Sequence, residues 1–190
     1  MGSRGADGSP RTWEGGFPVT GAGGGPPLAL RHGRPGDLER VVAIYNQTIA
    51  GRMATADLEP VTVEQRRAWF HDRDPSRRPL WVAEREGEVA GWLSVNDFYG
   101  RAAYAATAEV GVYVDERHRR AGVATALLDH AIAQAPGLGL SALLAFVFAH
   151  NGPSIALFER HGFERWGLLP AVARLDDRDA DVAILGRRVP

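Results

Sequence analysis

The apolar residues of this chain change period several times along its length, and each change marks an element. After Asp37, the residues Leu38, Val41, Val42, Tyr45 and Ile49 fall on one face at helical spacing. Asp37 follows Pro35-Gly36, where it can cap the free N–H groups of a first turn, and Gly51 stands where that helix would stop. Thr62 and Gln65 have capping-box spacing, so a second helix is predicted from Thr62, carrying Val63, Trp69 and Phe70. The pattern then becomes extended. Leu80–Ala83 and Val89–Val95, separated by Glu86-Gly87, predict a hairpin, and Glu109–Val114 predicts a further strand.

A helix is predicted from Arg120 to Ala135, ending at Pro136-Gly137. Ser141–Phe148 is a continuous apolar run of the kind found in buried strands. Asn151-Gly152-Pro153 opens a short helix that ends at Gly162, with Pro where its missing N–H costs nothing. Strands near Phe163–Leu169 and Asp181–Arg188 complete the chain, and Leu28-Ala-Leu-Arg31 supplies a short first strand. Hairpins come first and crossovers later. That order predicts an α/β (mixed α+β) fold, a mixed sheet covered by helices rather than a purely parallel doubly wound one.

Composition narrows the picture. A chain of 190 residues with 45% hydrophobic content suits one domain with a sizeable core. Residues 1–27 hold nine Gly and four Pro with no apolar period, so they are expected as a disordered tail, and 28–190 as the domain. A formal net charge of −1 gives no nucleic-acid footprint and no polybasic membrane anchor. No apolar run approaches the roughly 20 residues of a membrane span, and the N-terminus lacks the apolar core of a signal peptide. A cytoplasmic protein with no membrane or nucleic-acid partner is therefore expected. The absence of Cys rules out a Cys nucleophile and thiolate metal sites. The six His show no close ligand spacing, so no metal is expected.

The chemistry concentrates at Arg119-Arg120-Ala121-Gly122-Val123-Ala124-Thr125, which leaves a strand and opens a helix. Small residues there admit a close approach to the backbone, the first N–H groups of a helix lack partners, and the helix dipole favours an anion. Arg117, Arg119 and Arg120 add positive charge. Such a turn suits a pyrophosphate, although an ordinary strand-to-helix turn with solvated arginines has the same local pattern. No Gly-Lys-Ser/Thr follows, and G-x-G-x-x-G is missing, which excludes a P-loop and a dinucleotide fingerprint.

In its wider setting the segment resembles the acyl-CoA-binding motif of the GNAT N-acetyltransferases, Gln/Arg-x-x-Gly-x-Gly/Ala, here Arg119, Gly122 and Ala124. A second GNAT signature is similar to Asn151-Gly-Pro-Ser-Ile-Ala-Leu-Phe-Glu-Arg-His-Gly-Phe163. Tyr45-Asn-Gln-Thr-Ile49, Glu59-Pro60, Trp69-Phe70 and Thr107-Ala-Glu-Val-Gly-Val-Tyr-Val114 together resemble the phosphinothricin and methionine sulfoximine acetyltransferase branch, over about Leu28 to Val189.

The resemblance implies a GNAT fold: a central mixed, mostly antiparallel sheet with a splay between its two central strands, flanked by about four helices. It implies acetyl-CoA as cosubstrate, no metal, and direct transfer to the amine of a small molecule, an amino acid or an analogue of one. Val112, Tyr113 and Val114 would line the acetyl-CoA site, offering backbone N–H groups to the thioester oxygen. Arg119, Arg120, Ala121, Gly122, Val123, Ala124 and Thr125 would hold the pyrophosphate, and Asn151 would contact the cofactor arm. Glu109 is the implied general base, needed because an alkylammonium is not nucleophilic until it loses a proton. Arg101 and Tyr104 match positions near the substrate. Members of the branch often form dimers, so a homodimer is the assembly the resemblance suggests.

Two positions depart from the branch. Phe158 stands where related enzymes carry Tyr or His as an acid for the departing thiolate, and Ala56 is small where the branch often has an aromatic. Phe158 can donate nothing. A thiol with a pKa near ~8.5 leaves readily without protonation. Acceptors of another kind, a protein N-terminus or a polyamine, and a non-catalytic acyl-CoA-binding module are the alternatives.

Overall fold

The computed structural model describes residues 17–19 and 27–190. In chain order the elements are β1 (Phe17–Val19), β2 (Leu28–His32), α1 (Leu38–Asn46), α2 (Val63–His71), β3 (Leu80–Arg85), β4 (Glu88–Asp97), β5 (Thr107–Val114), α3 (Val123–Gln134), β6 (Ala142–Phe148), α4 (Gly152–Arg160), β7 (Glu164–Leu175) and β8 (Arg178–Arg188). Among the described residues the strands form one sheet in the order β1-β2-β3-β4-β5-β6-β8-β7. Every neighbouring pair is antiparallel except β5 and β6, which are parallel and joined across α3.

The sheet is buried on both faces over much of its area, and β3 shows why. Trp81 and Ala83 join one cluster with α3 and α4, while Leu80 and Val82 join the other with α1 and α2. Successive side chains of a strand point to opposite faces, so a central strand with helices on both sides is apolar throughout. The Trp92 indole N–H donates to the Val41 carbonyl at 3.0 Å and fixes α1 over β4.

Several boundaries differ from expectation. The expected tail of residues 1–27 contains β1, whose backbone pairs with β2 from Phe17↔Leu30 to Val19↔Leu28. That pairing covers an edge of hydrogen-bonding groups that β2 would otherwise leave open. The rest of the expected tail up to residue 26 lies outside the described residues. The first helix begins at Leu38 and stops at Asn46, well short of Gly51, although Ile49 is still buried. A 3₁₀ turn at Pro35–Asp37 precedes it, and the Asp37 carboxylate accepts from the Arg34 N–H and from Arg31. The second helix starts as predicted: the Thr62 N–H donates to Gln65 Oε1 at 2.7 Å and the Gln65 N–H to Thr62 Oγ1 at 3.2 Å. The last two strands are longer than predicted and form an extended hairpin.

Candidate active site

The parallel pairing of β5 with β6 covers only Thr107↔Ala142, Ala108↔Leu143 and Glu109↔Leu144. Beyond Glu109 both strands continue, β5 to Val114 and β6 to Phe148, without pairing to each other. The sheet therefore opens into a wedge at its centre, with one backbone edge of β5 left unpaired. A small cavity of about 50 Å³ occupies this wedge, lined by Val110–Tyr113, Ala145–Phe148, Asn151, Ser154 and Phe158, with Met53 and Ala54 across it.

The turn after β5 leads straight to the N-terminus of α3. Arg120 (φ 61°) and Gly122 (φ 79°) both take left-handed backbone conformations, and Gly122 caps the helix. The predicted start at Arg120 is thus three residues early, because two left-handed residues cannot continue a right-handed helix. The first intrahelical bond here runs from the Ala126 N–H to the Gly122 carbonyl. The N–H groups of Val123, Ala124 and Thr125 consequently lack intrahelical acceptors and form a positive helix terminus. Gly91 lets this end approach the sheet, since a Cβ there would sit 2.7 Å from Val123 Cγ1 and 2.8 Å from the Tyr113 carbonyl oxygen.

The turn is held from behind by Asp115, which is fully buried. Its carboxylate accepts from the Arg117 N–H at 2.8 Å, from the Arg117 guanidinium, from Gln47 and from Arg40. Burial alone would raise its pKa, but these hydrogen bonds outweigh burial and hold it well below the usual carboxylate range. Gln47 also accepts from the Glu116 N–H at 3.0 Å, so α1 braces the same turn. Arg119 and Arg120 are exposed. Arg119 reaches Glu116 at 3.4 Å, and Arg120 makes no ion pair among the described residues. Asp115, Gln47 and Arg40 were not picked out from the sequence. Asp115 is the one with a legible signal, an N-capping residue type directly after a strand.

On the α1/α2 face of β5 lies a second cavity of about 140 Å³. Tyr45, Trp69, Trp92 and Tyr113 wall it with aromatic rings, and Tyr113 stacks on Trp92 with centroids 4.4 Å apart. Glu109 lines it from β5, Ser94 and Asn96 from β4, and Arg66 from α2. The Glu109 carboxylate makes no ion pair or hydrogen bond to protein among the described residues, and burial pushes its pKa up. Burial also raises the Tyr113 phenol. Gly111 and Tyr113 line both cavities, so the wedge and the aromatic cavity share a wall on β5.

The other expected site residues are placed as follows. Val112 lines the wedge alongside Tyr113, and Val114 packs against the core under α3. Asn151 caps α4 by accepting from the Ser154 N–H at 3.1 Å, and its amide donates to the Met53 carbonyl at 2.7 Å. Both ends of its side chain are therefore engaged, and it shapes the wedge by fixing the strip that crosses it. Phe158 is buried against Phe163 and closes the floor. Arg101 and Tyr104 line neither cavity. Arg101 is exposed, and Tyr104 packs with Phe98 and Tyr99 in a loop cluster that reaches Phe146 at the edge of the wedge. Sequence reasoning missed the cavity walls Ser94, Asn96, Trp92 and Arg66, which come from elements distant in the chain.

A mixed sheet opened at its centre, a free helix terminus beside the opening and a carboxylate-bearing cavity across the shared strand together define an acyl-transfer scaffold. The profile of the acetyltransferase (GNAT) family matches residues 36–163, and the chain belongs to that family. It is an N-acetyltransferase, and its relatives include enzymes of the phosphinothricin and methionine sulfoximine type. YwnH of Bacillus subtilis (strain 168), provisionally assigned as a phosphinothricin acetyltransferase, is 54% identical over 163 residues, covering 85% of this chain and 99% of YwnH. An L-methionine sulfoximine/L-methionine sulfone acetyltransferase of Pseudomonas aeruginosa is 32% identical over 158 residues, 83% of this chain and 92% of its own. The structure is also similar to that of a GNAT phosphinothricin acetyltransferase from Sinorhizobium meliloti in complex with acetyl-CoA. Its TM-score is 0.80 at 28% identity, covering 85% of this chain and 88% of that one. Among the described residues no helix is long and apolar enough to cross a membrane, and no group of three His, Cys, Asp or Glu is placed to hold a metal ion.

Proposed function

We propose that this enzyme transfers the acetyl group of acetyl-CoA to the amine of a small amino acid or amino-acid analogue, in a ternary complex. The observation that carries this is the shared wall at Gly111 and Tyr113 between the wedge and the Glu109 cavity. Two reactants bound on either side of one strand would meet there without a covalent enzyme intermediate, for which the chain has no Cys. The wedge and the α3 terminus suit acetyl-CoA. The free N–H groups of Val123, Ala124 and Thr125 are donors for a pyrophosphate, and the exposed Arg119 and Arg120 add positive charge. When bound, acetyl-CoA supplies an activated thioester. The unpaired edge of β5 then offers N–H groups to the oxygen on which charge develops.

Glu109 takes the proton that the ammonium must lose. A carboxylate with a raised pKa and no partner among the described residues is suited to that task. The buried Phe158 leaves the departing thiolate without a donor at that position. Arg101 and Tyr104 lie outside both cavities, so the acceptor site is assigned to the aromatic cavity. The L-methionine sulfoximine and phosphinothricin relatives favour an amino-acid analogue as acceptor. Exposed apolar side chains at Trp166, Leu168 and Val172 support a homodimer.

Replacing Glu109 by Gln tests the proton role. The variant keeps a KM for acetyl-CoA within about threefold of wild type while kcat falls by at least ~100-fold, the usual weight of a positioned base. Retained turnover would remove Glu109 from the reaction.

A further inference from the structure

We propose that Arg66 is the residue that recognises the carboxylate of the acceptor and so sets the preference for amino acids over plain amines; this rests on the acetyl-transfer reading above. Arg66 is the only basic residue lining the Glu109 cavity among the described residues. Its guanidinium lies 4.8 Å from the Tyr45 ring centroid and 5.6 Å from that of Trp69. Stacking on two rings fixes the plane of the fork while leaving its edges available. One N–H group is used: Nη2 donates to Asp57 Oδ2 at 2.9 Å. Nε and Nη1 have no protein acceptor among the described residues, so the fork keeps further donors for a carboxylate.

The surrounding charges point the same way. Asp57 is held by the Tyr45 hydroxyl as well as by Arg66, which anchors one side of the guanidinium. Glu109 is the acidic residue that lines this cavity among the described residues, and it suits the acceptor's ammonium. A zwitterion with its nitrogen at Glu109 needs a positive donor elsewhere in the same cavity, and Arg66 lines it from α2. The other arginine beside these rings is not free for this. Arg73 stacks on Trp69, but its N–H groups go to the Arg78, Pro79 and Val95 carbonyls and to Asn96 Oδ1. Arg101 is exposed on its loop and lines neither cavity.

The test compares L-methionine sulfone with 3-(methylsulfonyl)propylamine, the same side chain and amine without the carboxylate, in wild type and in Arg66→Gln, Arg66→Lys, Asp57→Asn and Arg101→Gln. The ratio of kcat/KM for the amino acid to that for the amine is the readout. Arg66→Gln lowers this ratio by at least about tenfold, mainly through the KM of the amino acid, and Arg66→Lys lowers it less because charge remains without the fork. Asp57→Asn, which leaves Arg66 charged and freer, keeps the ratio at or above wild type. An equal loss for both acceptors in Arg66→Gln, a ratio that falls in Asp57→Asn, or a fall in Arg101→Gln alone would overturn the proposal. Wild type that acetylates no amine would instead overturn the reading beneath it.

Discussion

At the scale of single residues, the fold treats two carboxylates in opposite ways. Asp115 is buried with a full set of donors, and its pKa is depressed. Glu109 is half-buried with none among the described residues, and its pKa is raised. A raised folded-state pKa means that the native state binds this proton more tightly than the unfolded chain does. The associated stability is present below the unfolded value and is lost as pH rises through the folded value. Ionised Glu109 therefore costs stability at neutral pH. Glu109→Gln is expected to raise the melting temperature at pH 7.5 and to lose that advantage as pH falls below the usual carboxylate range, checked by thermal melts across pH. An advantage that persists unchanged in acid would mean that the fold does not shift Glu109, and one that grows in acid that the carboxylate is stabilised. Of these two residues, Glu109 was legible because Thr-Ala-Glu-Val-Gly-Val-Tyr-Val resembles a family segment. Asp115 carries only the local signal of a capping residue with Arg117 as its near donor; the bonds from Arg40 and Gln47 that tie it to α1 come from far away in the chain.

At the scale of elements, the legible features are those decided locally. The capping box at Thr62, the Glu86-Gly87 turn and the Asn151 cap each depend on residues within a few positions of one another. The start of α3 was misplaced because Arg120 adopts a left-handed conformation that its residue type does not announce. Gly122 is the residue that admits the sharp entry into the helix. A side chain there meets no neighbour within 4 Å, so the cost is conformational rather than steric. Gly122→Val should destabilise the fold by about 1–2 kcal/mol, the cost of placing an L side chain in a left-handed conformation. If the terminus binds the pyrophosphate, the variant also raises KM for acetyl-CoA while the KM for the amine stays close to wild type. An unchanged acetyl-CoA KM would move the pyrophosphate elsewhere.

At the scale of the molecule, the sheet order and the wedge determine what the parts can do together. An apolar run such as Ala142–Phe148 reveals a buried strand but not where its pairing with β5 stops. The splay was expected from resemblance alone, and the aromatic cavity was not foreseen, because α1, α2, β4 and β5 assemble it from four separate stretches of chain. Arg66 belongs to the same class of residue. Its helix was predicted, but the surface that helix would face was not. The shared wall on β5 is the basis of a kinetic prediction: under the proposed ternary complex, initial-velocity lines at several fixed amine concentrations intersect, whereas parallel lines would point to a covalent intermediate.

The most direct measurement is thiol release from acetyl-CoA by the wild-type enzyme across amino acids, methionine sulfoximine, phosphinothricin and polyamines, with the acetylated product identified. The structure predicts release that depends on an amino-acid-type amine, matched one for one by N-acetylated product, with intersecting lines. Binding of acetyl-CoA without amine-dependent release for any acceptor would contradict it and leave an acyl-CoA-binding module in its place.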